Sequence, residues 1–347
     1  DDLSARFGFG AGRDAVTVSA QMLVESMEPA AALLASALTQ PRFDLEAVER
    51  VQAQILSGLA EDETDPRAIA GKAWSASAFP GHPYGRPESG TTESVSSLTV
   101  EDLRAALPSL INRANARIGI VGAVTPDQAS ALIDTVMEGL AEGEPLDRPW
   151  RQVSPPPGVE VISLDVPQST AIFGHAGLKR TDPDFIPAFV MNYILGGGSF
   201  NSRLTDEVRE KRGLAYSVYA YMSVRDEAGL YLGSVQTANE GMAESIEVIR
   251  AEWAKMAAEG LSQDDLDKAK KYLTGAFPLR FDSNAKIAGY LVFMQEEDLG
   301  IDYLDNRNGL IEAVTLEDVN GAAARVLDPE ALSITIVGQP EGLTATR

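Results

Sequence analysis

Residues 97–125 read SLTVEDLRAALPSLINRANARIGIVGAVT, and residues 313–341 read AVTLEDVNGAAARVLDPEALSITIVGQPE. The two stretches match at a constant offset, because Ile118 pairs with Ile334 and Gly122 pairs with Gly338 (334 − 118 = 338 − 122 = 216). Repeats of a few dozen residues indicate solenoids, whereas a period above about 200 residues indicates a duplicated domain in which each copy has its own core. We therefore predict two homologous domains.

A second pair of segments supports the duplication and helps to set its boundaries. The segment FDLEAVERVQAQILSGL, which begins at Phe43, parallels QDDLDKAKKYLTGAF further along at nearly the same offset (266 − 48 = 218). The second copy opens near Val159, so the first copy is expected to start almost sixty residues before Asp1 (159 − 216). Five prolines between residues 141 and 160 mark a linker. The predicted domains are 1–140, which lacks its N-terminal part, and 159–347, joined by the linker 141–158.

The second half carries the clearer secondary-structure pattern. VEVISLDV and QSTAIFGHAGL alternate like strands, and LAYSVYAYMSV and GLYLGSVQT predict a hairpin around RDEAG. The helix EGMAESIEVIRAEWAKMAAEG places four large apolar residues on one face, namely Ile246, Ile249, Trp253 and Met256. In the first half, ARIGIVG is predicted to be a strand. We predict an α+β fold in which each domain has a mixed or antiparallel sheet with helices packed on one face.

Composition excludes several classes of function. A formal net charge of −22 argues against nucleic-acid binding, which needs basic side chains to neutralise phosphates. No apolar run approaches the roughly 18 to 20 residues that a membrane helix needs, so no membrane span is predicted. The absence of cysteine from the sequence excludes disulfides, thiolate catalysis and cysteine metal sites.

The two histidines of the chain do not form a metal motif. A zinc peptidase needs clustered imidazoles and a carboxylate, and neither His82 nor His175 has a partner at helical spacing. We predict structural roles for both. The run GGGSFNSR lacks the pattern of a dinucleotide or phosphate loop, so it is interpreted as a helix break.

The segment VREKRGLAYSVYA contains the best candidates for functional side chains. Arg209 closes a predicted helix, Gly213 turns the chain, and Tyr216 is predicted to point to the same side of the strand as Leu214 and Val218. A guanidinium and a phenol on neighbouring elements can together donate hydrogen bonds to a peptide carbonyl. The alternative from the pattern alone is that Arg209 forms a surface ion pair and Tyr216 packs in the sheet.

The string YILGGGSFNSRLTDEVREKRGLAYSVYA at 193–220, with GHAGLKRTDPD before it and AKKYLTGAFPLRFDSNAKIAG after it, resembles the second domain of a known family. This is the pitrilysin and insulinase family of zinc metallopeptidases, which includes the mitochondrial processing peptidase and the core subunits of respiratory complex III. The similarity covers nearly the whole chain. It implies that each domain is α+β and that two domains form a half-shell. Two half-shells are then expected to enclose a chamber where peptides are cut.

The resemblance also implies which metal ligands to look for. The family's His-x-x-Glu-His motif is expected upstream of Asp1, and its third ligand is a Glu further along the first domain. An ungapped alignment of residues 41–66 places Gly58 at that ligand position and Val51 where a supporting Glu is usual. Glycine has no side chain to bind zinc, so we expect no metal site and no catalytic residue in this chain.

The substrate-binding pair of the family is, by the same resemblance, retained. The Arg and Tyr that hold the substrate backbone match Arg209 and Tyr216, with the family's spacing of seven (216 − 209). The chain is therefore expected to be a non-catalytic subunit of a heterodimeric zinc metalloendopeptidase, inactive alone and active with a zinc-bearing partner. The alternatives are a self-sufficient zinc peptidase whose motif lies upstream, and a non-proteolytic scaffold. Bacterial relatives suggest a periplasmic location.

Overall fold

The computed structural model describes residues 3–347, apart from the side chain of Ser199. Contacts divide the chain into two compact units. Unit 1 comprises the chain up to Leu59 together with Glu88–Arg148 and Pro278–Tyr303, and unit 2 comprises Ala60–Pro87, Pro149–Phe277 and Leu304–Arg347. The domain boundaries drawn from the repeat stay a prediction, because these units are defined by contacts and not by homology between the halves.

Along the chain, single strands or pairs of strands separate groups of helices. The helices are α1 (Met27–Thr39), α2 (Leu45–Asp62), α3 (Pro66–Ala78), α4 (Thr92–Ser97), α5 (Val100–Leu110), α6 (Pro126–Met137), α7 (Phe185–Asn192), α8 (Met242–Glu259), α9 (Gln263–Gly275), α10 (Asn284–Glu296), α11 (Tyr303–Ala313) and α12 (Leu316–Val326). The strands are β1 (Arg6–Ala11), β2 (Val16–Gln21), β3 (Gly158–Ser163), β4 (Gln168–Ala176), β5 (Ala215–Val224), β6 (Gly229–Ala238) and β7 (Ser333–Gly338). Within the described residues, no helix is long and apolar enough to cross a membrane.

Capping boxes begin several helices, and one of them is repeated between the halves. At the start of α12, Asp318 N donates to Thr315 Oγ1 over 3.1 Å and Thr315 N donates to Asp318 Oδ2 over 2.8 Å. Thr99 and Asp102 form the same pair of bonds at the start of α5, at the offset of the repeat (315 − 99 = 216). Each box satisfies two backbone donors that the first helical turn leaves free, so the helix start is encoded locally.

Unit 2 contains a five-stranded sheet in the order β3-β7-β4-β6-β5. The pair β3–β7 is parallel and the other neighbours are antiparallel, so the sheet is mixed. All six residues of β7 are buried, as expected for a strand with neighbours on both sides and layers on both faces. The predicted α+β fold class is confirmed.

One face of this sheet is covered by the helices that the sequence pattern predicted. Ile246, Ile249, Trp253 and Met256 on α8 are each at most 3% exposed, which confirms the predicted apolar face. The structure adds a helix on the opposite face, where α3 packs on β4 and β7. The Trp74 indole of α3 is 2% exposed and donates to the Ser333 carbonyl over 2.9 Å. Helices therefore cover both faces of the sheet in unit 2.

Unit 1 has a smaller sheet, formed by the antiparallel hairpin β1–β2, and a helical layer in which α1 packs on α6. The prediction of a strand at ARIGIVG is wrong for the described residues, in which 116–121 has no ladder partner. This stretch instead lies close to α10, because a Cβ added to Gly119 would lie 2.6 Å from the Ala288 carbonyl oxygen. Its counterpart β7 is a strand because β3 and β4 flank it, and the described part of the first half contains no equivalent neighbours.

Candidate functional site

The residues with the best candidate chemistry lie in unit 2, between α7 and β5. Helix α7 continues into a π-helical turn at Tyr193–Gly197, and a second π-helical segment, Thr205–Glu210, ends at Glu210. Helical segments of this type are rare and occur often at functional sites. The interpretation of the glycine run as a helix break agrees with the end of the first π-helical turn at Gly197.

Gly213 reverses the chain between Arg209 and β5. It has a positive φ of 63°, and its backbone N–H donates to the Arg209 carbonyl over 2.9 Å. The Leu214 N–H donates to the Val208 carbonyl over 2.9 Å, so two bonds satisfy carbonyls at the helix end. A Cβ at Gly213 would meet nothing within 4 Å. The backbone conformation, and not crowding, therefore favours glycine here.

A β-bulge aims the Tyr216 side chain into solvent. Ala215 pairs with Thr237 while Ser217 pairs with Gln236, so Tyr216 is the extra residue at the start of the edge strand β5. Its side chain is 84% exposed, whereas Val218 is 5% exposed. The prediction that Tyr216 points to the same side as Val218 is wrong, because strict alternation does not hold across a bulge.

Arg209 lies against Tyr216, so the structure brings the two predicted residues together. The guanidinium carbon of Arg209 is 4.9 Å from the Tyr216 ring centroid and also 4.9 Å from the Phe200 ring centroid. Its Nε is 3.4 Å from Glu210 Oε1. Among the described residues, its two terminal nitrogens have no hydrogen-bond partner. They are thus free to donate to a carbonyl placed beside the exposed Tyr216 hydroxyl.

The other cations of this segment are neutralised locally. Lys211 Nζ lies 2.6 Å from Glu207 Oε1 and Arg212 Nη1 lies 2.5 Å from Glu207 Oε2. The hydrogen bonds from Arg212 and Lys211 hold the pKa of the Glu207 carboxyl below its ordinary value. Asp206 also lies 2.8 Å from Lys211. Arg209 is therefore the basic side chain of this segment that presents free donors.

The position predicted for a third zinc ligand is bare. Gly58 lies on α2 in unit 1, is exposed, and a Cβ added there would meet nothing within 4 Å. Val51, on the same helix, is 44% exposed. Residues 3–347 contain no group of three or more His, Asp or Glu side chains placed to hold a metal ion. The residues present do not fit a zinc site, so no chemical step is derived through a metal in this chain.

Both histidines make local contacts that suit structural roles. His175 is 4% exposed; its Nδ1 is 2.7 Å from the Ala176 carbonyl, and its Nε2 accepts from the Trp253 indole over 3.0 Å. Burial lowers the pKa of the His175 imidazole, which keeps it neutral. His82 Nε2 lies 2.9 Å from Glu227 Oε2, and its Nδ1 accepts from the Tyr84 N–H.

Phe200 is the site residue that the sequence pattern did not indicate. Its contact with Arg209 depends on the backbone path after the glycine run, and residue spacing carries no information about that path. The only signal available was an aromatic residue in a loop of small and polar residues, which is common on protein surfaces.

Comparison with protein families places the candidate site in a known context. Residues 97–273, about half of the chain, match the family described as the peptidase M16 inactive domain. A Helicobacter pylori protein named "Non-peptidase homolog YmxG" is 28% identical over 264 residues, which cover 76% of this chain and 61% of that protein. The chain thus spans less than two thirds of that relative. A Rickettsia felis protein named "Uncharacterized zinc protease" is 24% identical over 87% of this chain and 71% of its own length.

Solved structures show the same fold. A crystal structure of a peptidase M16 inactive domain from Pseudomonas fluorescens superposes with a TM-score of 0.91 and 30% sequence identity, covering all of this chain and 82% of that one. A subunit in complex III2 from Candida albicans superposes with a TM-score of 0.79 at 18% identity, covering 98% of this chain and 83% of that one. The second likeness concerns the fold alone.

Proposed function

This chain belongs to the peptidase M16 family, and from that premise we propose that it is the substrate-holding, non-catalytic subunit of a two-chain zinc metalloendopeptidase. Arg209 and Tyr216 donate hydrogen bonds to a backbone carbonyl of the peptide being cut. A homologous partner subunit supplies the zinc ion and the general base. Two chains are required because one binds the substrate backbone and the other carries the metal.

The observation that carries the proposal is the contrast between Gly58 and the Arg209–Tyr216 pair. A bare glycine at the expected ligand position leaves no side chain there to hold zinc, whereas the half-buried guanidinium lies against an exposed phenol and has free donors. Recognition of a backbone carbonyl does not depend on the side chains of the peptide, which suits a peptidase of broad sequence tolerance.

A second candidate is a scaffold subunit with no role in proteolysis. The name of the Helicobacter pylori relative, a non-peptidase homolog, favours it. The two candidates differ in one respect that can be measured. If the chain is a scaffold, peptide turnover does not depend on the free donors of Arg209, whereas turnover by a substrate-holding subunit does. A self-sufficient zinc peptidase is disfavoured by Gly58 and would show about one zinc ion per chain by metal analysis of the full-length protein.

The decisive experiment measures peptide hydrolysis by this chain mixed with a zinc-bearing family member, compared with each chain alone. We expect turnover only in the mixture. The double variant Arg209→Ala/Tyr216→Phe is expected to lower kcat/KM of the mixture by about 100-fold, because a hydrogen bond from the charged guanidinium contributes about 1.5–3 kcal/mol and one from the neutral phenol about 0.5–1.5 kcal/mol. Co-elution of the two chains is expected to be unchanged.

The matched control is Arg212→Ala/Tyr272→Phe, which removes another guanidinium and another exposed phenol of unit 2. Arg212 is already paired with Glu207, and Tyr272 stacks on Tyr193, so turnover of the mixture should stay within about twofold. Equal turnover in the two double variants, with intact assembly, would reject substrate holding and favour the scaffold.

A further inference from the structure

Two aromatic rings lie against the Arg209 guanidinium, and only one of these rings belongs to the pair discussed above. Phe200 and Tyr216 both have their ring centroids 4.9 Å from the guanidinium carbon. Phe200 is 67% exposed, so burial of its own surface does not explain its position. An exposed phenylalanine that contacts a functional cation instead suggests a role exerted through that cation.

The glycine run explains how Phe200 reaches this position. A Cβ at Gly196 would lie 2.6 Å from the backbone nitrogen of Ala220 on β5, and a Cβ at Gly198 would lie 2.6 Å from the Tyr193 carbonyl. Glycine therefore allows the turn before Phe200 to pack directly on β5, the strand that begins with the Tyr216 bulge. The backbone just before Phe200 is thereby packed on the strand that carries Tyr216.

Contact with the two rings affects the direction in which the terminal N–H groups of Arg209 can donate. The faces of a guanidinium are weakly hydrated and stack on aromatic rings, whereas its N–H groups all lie in its plane. Contact with two rings therefore restricts movement of the guanidinium more than contact with one ring would. The Nε atom lies 3.4 Å from Glu210 Oε1, which leaves the two terminal nitrogens available to donate elsewhere.

We propose that Phe200 is a positioning residue that clamps Arg209 against Tyr216 and orients its terminal N–H groups toward the substrate carbonyl. This inference rests on the proposed function and deepens it, because it adds a third residue to the substrate-holding site. Phe200 acts through Arg209 and itself donates nothing to the peptide backbone.

The test compares three variants in the mixed two-chain enzyme. Phe200→Leu keeps apolar bulk but removes the ring, and is expected to lower kcat/KM about two- to fivefold, the factor that corresponds to an exposed cation–π contact. Phe200→Tyr keeps the ring and is expected to restore wild-type turnover. In the Arg209→Ala background, Phe200→Leu should have no further effect, since residues that act through one another are not additive.

The outcomes separate this inference from the proposed function. If Arg209→Ala lowers turnover and Phe200→Leu does not, or if the two effects multiply, the clamp is rejected and substrate holding stands. If Arg209→Ala itself has no effect, substrate holding is rejected. In that case the contact between Phe200 and Arg209 is tested by a measurement that needs no partner, namely NMR of selectively labelled arginine in this chain. The ring-current shift of the Arg209 side chain should shrink in Phe200→Leu and persist in Phe200→Tyr, and an unchanged shift in Phe200→Leu overturns the clamp.

Discussion

The two halves of the chain contain a matching short sequence in two different conformations. In the second half, Ile334 lies in β7, is fully buried and has strands on both sides. In the first half, its counterpart Ile118 is 37% exposed and lies in a stretch with no ladder partner among the described residues. The comparison teaches that the alternation of apolar residues makes a stretch able to form a strand, while its neighbours decide whether it does.

The halves also differ in chemistry. The first half has a bare glycine where a metal ligand is expected, at Gly58 on an exposed helix face. The second half has Arg209 and Tyr216 in contact, with donors available. Positions matched by the predicted repeat therefore differ in chemistry, and the differences can be tested by paired substitutions.

The largest expected effect comes from truncating the matched isoleucines. Ile334→Ala should lower the free energy of unfolding of unit 2 by about 2–5 kcal/mol, because it leaves a cavity in a two-sided core. Ile118→Ala should cost less than about 1 kcal/mol, because the side chain is partly in water. All three tryptophans, Trp74, Trp150 and Trp253, lie in unit 2, so urea denaturation followed by tryptophan fluorescence reports on the first variant.

The free energy of unfolding of Ile118→Ala is measured by circular dichroism in urea, because this signal follows the helices of both units. Equal losses of stability in the two variants would show that residues 116–121 are packed as tightly as β7, and would remove the contrast between the halves.

Matched glycines give the second comparison. Gly338 has a φ of 142°, and a Cβ there would lie 2.8 Å from the Ser169 Cα. Gly122 has a φ of 156°, but the nearest atom to a Cβ would be 4.0 Å away. Gly338→Ala should therefore cost about 2–3 kcal/mol through strain and crowding together, and Gly122→Ala about 1 kcal/mol through strain alone. Thermal unfolding of both variants tests the order, and a larger cost at Gly122 would contradict it.

A third matched position carries an ion pair in the second half and an uncharged residue in the first. Arg325 on α12 lies 2.7 Å from Asp182, and its hydrogen bonds hold the pKa of that carboxyl below the ordinary value of 3.8. Ser109 stands at the equivalent position of the first half (325 − 216). Because the folded-state pKa is lowered, the stabilisation is fully present above the unfolded-state pKa and is lost as pH falls through the folded-state value.

Asp182→Asn should thus lower the free energy of unfolding by about 1 kcal/mol at pH 7. The difference from wild type should begin to shrink as pH falls through the unfolded-state pKa of about 4 and should vanish below the lower folded-state pKa. Urea denaturation at several pH values measures it. Ser109→Ala is the control, for which no such pH dependence is expected. A difference between wild type and Asp182→Asn that persists at the lowest pH would point to packing and not to charge.

Local signals in the sequence were enough to predict the apolar helix face, whereas the role of Arg209 and Tyr216 was predicted from the family resemblance and stays a prediction. The spacing of Ile246, Ile249, Trp253 and Met256 follows the helical period, and the burial of all four confirms the predicted apolar face. The spacing of Arg209 and Tyr216 on either side of a turning glycine is also evident in the sequence.

Features that depend on contacts distant in sequence could not be predicted. The bulge at Tyr216 arises from the pairing of β5 with β6, and periodicity within one strand does not encode it. Likewise, the packing of α3 on β4 and β7 joins elements from opposite halves of the chain, and the ring contact of Phe200 follows from the backbone path. In each case the missing information concerned a partner element, as it did for Ile118.

The smallest expected effect concerns Gly58 and sharpens the chemical side of the comparison. Glycine inside an exposed helix costs about 0.5–1 kcal/mol relative to alanine, and a methyl group at Gly58 meets nothing within 4 Å. Gly58→Ala should therefore raise the free energy of unfolding of unit 1 by that amount, measured by circular dichroism in urea, while the control Gln54→Ala on the same helix changes it by less than about 0.5 kcal/mol. Stabilisation would mean that close packing does not require glycine at this position. Destabilisation would instead indicate that the bare position is itself packed against another part of the chain, and the absence of a ligand there would then have a structural cause.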